Sequence, residues 1–304
     1  MRLVAFRGPG SGTRLGAVVT RGDETGVIDL RAADATLPTD VLTLLESGPA
    51  AMERARAVVA EGRAPLVDGV RLLAPLARPP KLLAAASNYQ SHITESGLPE
   101  VDKARIVPKL FLKPSSSIVG PDVPLELPSV SDSVDWELEL AAVIGTRCRD
   151  VSLDSALEVV AGYTIINDIS ARSMSWGLPD REPNAWNDFF DWLNGKWVDG
   201  FAPLGPWFVT ADEIPNPQAL ELELRVNDEL RQHANTSQMI FGVAELVSFA
   251  SRFMTLEPGD MFATGTPAGV GATTRTYLVP GDVMTGTIEG LGSLTTPVVA
   301  GRAG

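Results

Sequence analysis

Two glutamates, Glu137 and Glu139, stand inside the largely apolar run from Val134 to Gly145. Its alternation and the β-branched Val143-Ile144 predict a strand, and residues i and i+2 of a strand point to the same face. The two carboxylates therefore share a side, where they repel each other unless a cation lies between them. On its own the pair reads more readily as the solvated acidic face of a half-exposed strand, since the tripeptide is common. A third carboxylate, Asp168, shifts that balance. The run from Gly162 to Asn167 is rich in β-branched residues and closes on Asn167-Asp168. This predicts a strand ending in a loop, where functional side chains collect, although an Asx turn has the same local signature. Three carboxylates with no Cys or His beside them form an all-oxygen set suited to Mg2+, Mn2+ or Ca2+ rather than Zn2+.

With 304 residues the chain can bury a large core, enough for one big domain with a smaller one attached. We expect a small N-terminal domain over residues 1–78 and a metal-binding catalytic domain over 79–304, divided near Pro79. A net charge of -13 argues against a nucleic-acid footprint, which basic patches carry. The lone cysteine, Cys148, excludes an intramolecular disulfide and fits a reducing cytoplasm. We read it as structural. Arg7, Gly8 and Pro9 break the first apolar stretch before a signal core forms, and no uninterrupted run approaches the roughly 18 apolar residues of a membrane span. No membrane partner is expected.

Short strands are predicted around Leu3–Phe6, Leu15–Val19 and Gly26–Leu30, forming a small sheet. Two helices follow, from Asp40 to Glu46 and from Ala50 to Ala60, broken at Gly48-Pro49. Leu82 to Ala86 reads as a buried strand leading into Ser87-Asn88-Tyr89-Gln90-Ser91-His92-Ile93-Thr94-Glu95. A helical turn would put His92 and Glu95 on one face, with the carboxylate orienting the imidazole as a general base requires; exposed i,i+3 pairs look the same. Lys113, in Phe111-Leu112-Lys113-Pro114, is costly to bury unless it meets an anion, and snorkelling is the plain alternative. Glu221 to Asn227 reads as a half-exposed strand whose Glu221-x-Glu223 faces water. His233, the other of two histidines, reads as a surface residue. Met239 to Met254 has core-facing helical spacing. The glycines of Thr264-Gly265-Thr266-Pro267-Ala268-Gly269-Val270-Gly271 let backbone approach a ligand, but the stretch lacks the Lys-Ser/Thr of a phosphate loop.

Together Asp135-Trp136-Glu137-Leu138-Glu139, Asn167-Asp168-Ile169-Ser170-Ala171-Arg172 and the Thr264–Gly271 stretch resemble the fumarylacetoacetate hydrolase superfamily, from about Lys81 to about Val299, and in particular its acylpyruvase and hydroxyheptadienedioate isomerase branch. The resemblance implies a mostly β fold with some α, a rolled mixed β-sheet carrying a small N-terminal α+β domain, and a homodimer. It assigns Glu137, Glu139 and Asp168 to the metal, and makes the segment holding Asn88, Tyr89, His92 and Glu95 a mobile lid whose His and Glu activate water. Lys196, in Gly195-Lys196-Trp197-Val198-Asp199, would join the catalytic group with Asp199 behind it; Lys113, Arg172 and Thr266 would bind substrate. One departure follows Arg172, where Ser175 replaces a Gln that often touches substrate. The stretch from Trp176 to Trp192, with Pro179 and Pro183, is longer than the family pattern and reads either as a pocket-lining loop or as a dimer contact.

The implied activity is divalent-metal-dependent hydrolysis of a C–C bond in a small 2,4-dioxo acid, of the acylpyruvate or fumarylacetoacetate type, in aromatic catabolism. The same enolate arises in isomerisation or decarboxylation of an unsaturated 2-hydroxy or 2-oxo diacid, so that reading stays open, as does a non-catalytic relative that kept the fold.

Overall fold

Every residue of the strand Leu138–Ile144 is buried, because both faces of its sheet are covered. Leu138, Leu140, Ala142 and Ile144 point into a core shared with Leu222, Leu224, Met284 and Leu294. Ala141 and Val143 point the other way, toward Leu3, Val41, Leu44 and Phe208. The computed structural model describes residues 1–8, 12–178, 180–182 and 184–301; Pro9, Pro179 and Pro183, named above, lie outside them.

Among the described residues the central sheet has eleven strands. Its main path runs Glu24–Asp29, Arg14–Arg21, Arg2–Arg7, Ala202–Thr210, Val160–Asn167, Leu138–Ile144, Met261–Ala263, Leu82–Ala86 and Lys109–Lys113. A second sheet of five strands orders Glu229–Asn235, Glu221–Val226, Val283–Ile288, Gly292–Val299 and Leu125–Glu126. Among the described residues neither sheet closes into a barrel. The expected N-terminal strands form, but they continue into the central sheet, Leu3 lying opposite Phe208. Helices Val41–Glu46 and Pro49–Glu61 form as expected, the first capped by the Asp40 side chain on the Thr43 N–H. No helix among the described residues is long and apolar enough to cross a membrane.

The expected continuous strand from Val134 to Gly145 is broken at Trp136-Glu137. Val134–Asp135 pairs instead with Ser170–Ala171. At the break the Glu137 N–H donates to Asn167 Oδ1 at 2.8 Å and the Trp136 indole donates to Gly269 O at 2.9 Å. The Asn167 side chain thus stands in for a ladder partner of the Glu137 N–H.

The helix Ala185–Gly195 begins within the long Trp176–Trp192 stretch and runs three residues past it. A Cβ on Gly195 would lie 2.2 Å from the Ala171 carbonyl oxygen, so only glycine lets the helix end there. Gly195→Ala is expected to cost about 1–3 kcal/mol through overpacking, seen as a lower Tm; an unchanged Tm would mean that this contact relaxes freely.

Candidate metal and acid–base site

Register brings the acidic groups together. Leu138 lies opposite Asn167 and Glu139 opposite Ile166, so Glu137 and Asp168 leave the ends of two paired strands side by side. The Asp168 N–H donates to Glu137 O at 2.8 Å and fixes that juxtaposition. One oxygen from each of Glu137, Glu139 and Asp168 lies within 4.8 Å of the others, and all three residues are buried. Burial, then Asp168 and Glu137, push the Glu139 carboxyl well above the usual carboxylate range. Burial also works to raise Glu137, but Lys196, Arg172 and His92 outweigh it and hold that carboxylate below its usual range. The set fits a hard divalent cation: all donors are oxygens, and the strain on Glu139 is the strain that a cation relieves.

Basic side chains enclose the cluster. Lys196 Nζ donates to Glu137 Oε2 and Asp168 Oδ2, both at 2.8 Å. Lys113 is buried, not snorkelling, and Nζ donates to Asp168 Oδ1 at 2.5 Å and Lys196 O at 2.6 Å. Burial lowers Lys113 despite Asp168, whereas for Lys196 the pull of Asp168 and Glu137 overcomes burial and keeps the ammonium charged. Arg172 donates through Nε to Asp135 Oδ1 at 2.7 Å and through Nη2 to Glu137 Oε1 at 2.5 Å. Asp135 is pushed up to about 6 by burial, with Arg172 opposing. Asp199, expected behind Lys196, is exposed; Lys196 pairs with Glu137 and Asp168 instead.

The His92 segment closes over this cluster. Asn88 ties it down, with Nδ2 donating to Phe241 O and Thr264 O at 2.8 Å each and Oδ1 accepting from Phe241 N at 2.9 Å. In the helix Gln90–Glu95, His92 Nδ1 lies 2.8 Å from Glu95 Oε1. The other oxygen, Glu95 Oε2, accepts from Gly269 N at 2.8 Å and latches the helix onto the glycine-rich loop. Beneath it lies a cavity of about 100 Å3, bordered by His92, Glu137, Asp168, Arg172, Lys196 and Thr266, with Phe111, Trp192 and residues 85–87 also on its wall. Glu139 and Lys113 are not on that border and stand one layer behind it. Larger hollows exist, including one of about 320 Å3 beside Leu44, Met52 and Arg56, but it borders no such acid–base cluster.

Gln232 was not foreseen. It is buried, accepts from Leu138 N at 3.0 Å, and donates to Thr266 Oγ1 at 2.8 Å and Pro267 O at 3.0 Å. Thr266 Oγ1 in turn donates to Leu138 O at 3.0 Å, so its hydroxyl proton is engaged with the backbone. Strand alternation held the signal: Gln232 and Ala234 point inward, while His233 between them is exposed as expected. Asn167, which receives the Glu137 N–H, was also missed as a functional position.

Residues 81–299 match the family described as fumarylacetoacetate (FAA) hydrolase C-terminal. The chain belongs to the fumarylacetoacetate hydrolase family. This family member is 40% identical over 303 residues to the oxaloacetate tautomerase fahd2, mitochondrial, of Xenopus laevis, covering 98% of this chain and 90% of that protein. It is 43% identical over 233 residues to a 2,4-didehydro-3-deoxy-L-rhamnonate hydrolase of Sphingomonas sp. (strain SKA58), covering 75% and 77% of the two chains. The maleylpyruvate hydrolase of Sphingobium sp. SYK-6, solved in complex with manganese (II) ion and pyruvate, has the same fumarylacetoacetate hydrolase fold. Its TM-score is 0.77 at 33% identity, over 99% of this chain and 100% of that one. By their names these relatives are enzymes, two hydrolases and one tautomerase.

Proposed function

We propose that this chain is a divalent-metal-dependent hydrolase that cleaves a C–C bond in a short 2,4-dioxo acid of the acylpyruvate type. The carrying observation is that the hydrogen-bonded His92–Glu95 pair borders the same small cavity as Glu137, Asp168 and Lys196. Glu137, Glu139 and Asp168 would hold Mg2+ or Mn2+, which when bound supplies Lewis acidity toward the carboxylate and 2-oxo oxygens of the acid. The manganese and pyruvate in the maleylpyruvate hydrolase complex support that choice of ion and acid.

The residues then divide the work. Glu95 holds Nδ1 of His92, which leaves Nε2 to take a proton from water. The oxygen of that water bonds to the 4-oxo carbon. As the C3–C4 bond breaks, its electron pair passes to the pyruvate fragment as an enolate, and the acyl fragment leaves as a carboxylic acid. His92 returns its proton to C3, giving pyruvate. The Lys196 ammonium stabilises the negative charge that develops on the pyruvate side, and the closed helix Gln90–Glu95 limits bulk water.

A second reading, tautomerisation of oxaloacetate, is favoured by the size of the cavity and by the name of the full-length relative. A cavity of about 150 Å3 accommodates benzene; one of about 100 Å3 suits a compact acid better than a long one. In that reaction His92 would take a proton from C3, the C–H electron pair would form the C2–C3 double bond as the 2-oxo oxygen takes a proton, and no C–C bond would break. Both readings keep the expectation of a cytoplasmic homodimer. They separate in one assay of Mn2+-loaded enzyme against acetylpyruvate and oxaloacetate. Hydrolysis predicts pyruvate and acetate in equal amounts from acetylpyruvate; turnover confined to the enol absorbance of oxaloacetate would replace the first reading with the second.

A further inference from the structure

Resting on that reading, we infer that Trp192, braced by Phe111, sets the length of acid that the cavity accepts. Glu137, Asp168, Arg172, Lys196, His92 and Thr266 supply most of the polar part of the border, toward which the carboxylate and oxo groups would turn; Phe111 and Trp192 are its large apolar side chains. The Phe111 and Trp192 rings meet edge to face at 5.0 Å between centroids, and Lys196 Nζ lies 5.8 Å from the Phe111 ring. The aromatic wall therefore abuts the charged end of the site and leaves little room for a tail to lengthen.

The wall is held firmly. At the start of the helix Ala185–Gly195, Asn184 Oδ1 accepts from Trp186 N at 3.1 Å and Asn187 N at 3.0 Å. Asp191, next to Trp192, accepts from Trp176 Nε1 at 2.9 Å and pairs with Arg181. Phe189 backs the Trp192 ring at 6.0 Å, and the glycine contact at Ala171 fixes the far end. Just past it, Trp197 Nε1 donates to Leu112 O at 2.7 Å and ties the helix to the strand that carries Phe111. Trp186 and Phe190 stack on each other and stay exposed, away from the cavity. The same segment thus offers a matched control.

The test compares acetylpyruvate, butanoylpyruvate and hexanoylpyruvate on the Mn2+-loaded enzyme. Wild type should lose kcat/KM as the acyl chain lengthens. Trp192→Ala should raise the hexanoyl-to-acetyl ratio by about tenfold or more, the scale on which apolar pockets discriminate methylenes. Trp192→Phe should raise it less, and Trp186→Ala should leave it unchanged. Should Trp192→Ala fail to fold, Trp192→Leu and Trp192→Phe carry the comparison. A ratio unchanged in a folded variant that binds Mn2+ like wild type overturns the inference. Calorimetric affinities of pyruvate, 2-oxobutanoate and 2-oxohexanoate, measured on the same loaded proteins, give the readout independent of turnover. If wild type hydrolyses none of the acylpyruvates, the hydrolase reading falls, yet a length dependence of affinity that Trp192→Ala relieves still supports the role of Trp192. Equal length dependence in wild type and variant overturns it, and failure of every acid to bind overturns both.

Discussion

Glu139→Gln is expected to cost the protein its divalent ion, and turnover with it, while leaving the metal-free fold at least as stable as before. The variant keeps an oxygen to accept the Gly265 N–H, which the wild-type carboxylate receives at 2.7 Å. What it removes is a buried charge crowded by Asp168 and Glu137. Relieving that crowding favours the metal-free state, whereas losing one of three anionic ligands weakens ion binding by more than the 10–100-fold typical of perturbing a supporting group, so about a hundredfold or more. Wild type should gain about 2.7 kcal/mol from Mn2+ at a hundredfold excess over Kd, seen as a rise in Tm, and the variant should gain almost none. The other Glu-x-Glu supplies the control. Glu223 pairs with Arg225 at 2.6 Å on the outer face of its strand, so Glu223→Gln should bind Mn2+ as wild type does. Full retention of the Mn2+-induced rise in Glu139→Gln would remove Glu139 from the metal set.

The contrast between these two tripeptides marks what was legible in the sequence. Local pattern distinguished them once a third carboxylate had been found: Glu221 and Glu223 lie on an alternating strand, exposed and half-buried, while Glu137 and Glu139 are enclosed with Asp168. The pairing of His92 with Glu95 was legible for the same reason, since residues three apart lie just under one helical turn from each other and share a face. The break at Trp136-Glu137 was not, because it depends on Asn167, a side chain 30 positions away. Nor was the union of the N-terminal strands with Ala202–Thr210, which no periodicity encodes. Trp176 to Trp192 left open whether its aromatic residues line a pocket or a surface. The fold divides them, with Trp192 on the cavity and Trp186 outside. Helical spacing alone cannot say which face meets the site, since the segment is aromatic on both.

His92→Ala should lower acylpyruvate hydrolysis by about a hundred- to ten-thousandfold, the range for loss of a positioned general base, while Mn2+ affinity changes far less. The imidazole borders the cavity, and no oxygen of the three-carboxylate set depends on it for a hydrogen bond. Glu95→Gln separates orientation from charge. Its amide oxygen can still accept from Nδ1, but the amide nitrogen that then faces Gly269 N is a donor and cannot accept, so the latch is lost. Turnover should fall less than in His92→Ala, and the helix should be more open to proteolysis or hydrogen exchange near Gln90–Glu95. Metal affinity is therefore the axis that distinguishes the two halves of the site: Glu139→Gln loses ion and turnover together, and His92→Ala loses turnover alone. A His92→Ala enzyme that cleaves acetylpyruvate at the wild-type rate would take water activation away from this histidine, and would leave the cavity's basic chemistry to Lys196, whose ammonium is held charged by Asp168 and Glu137 and so is poorly suited to accept a proton.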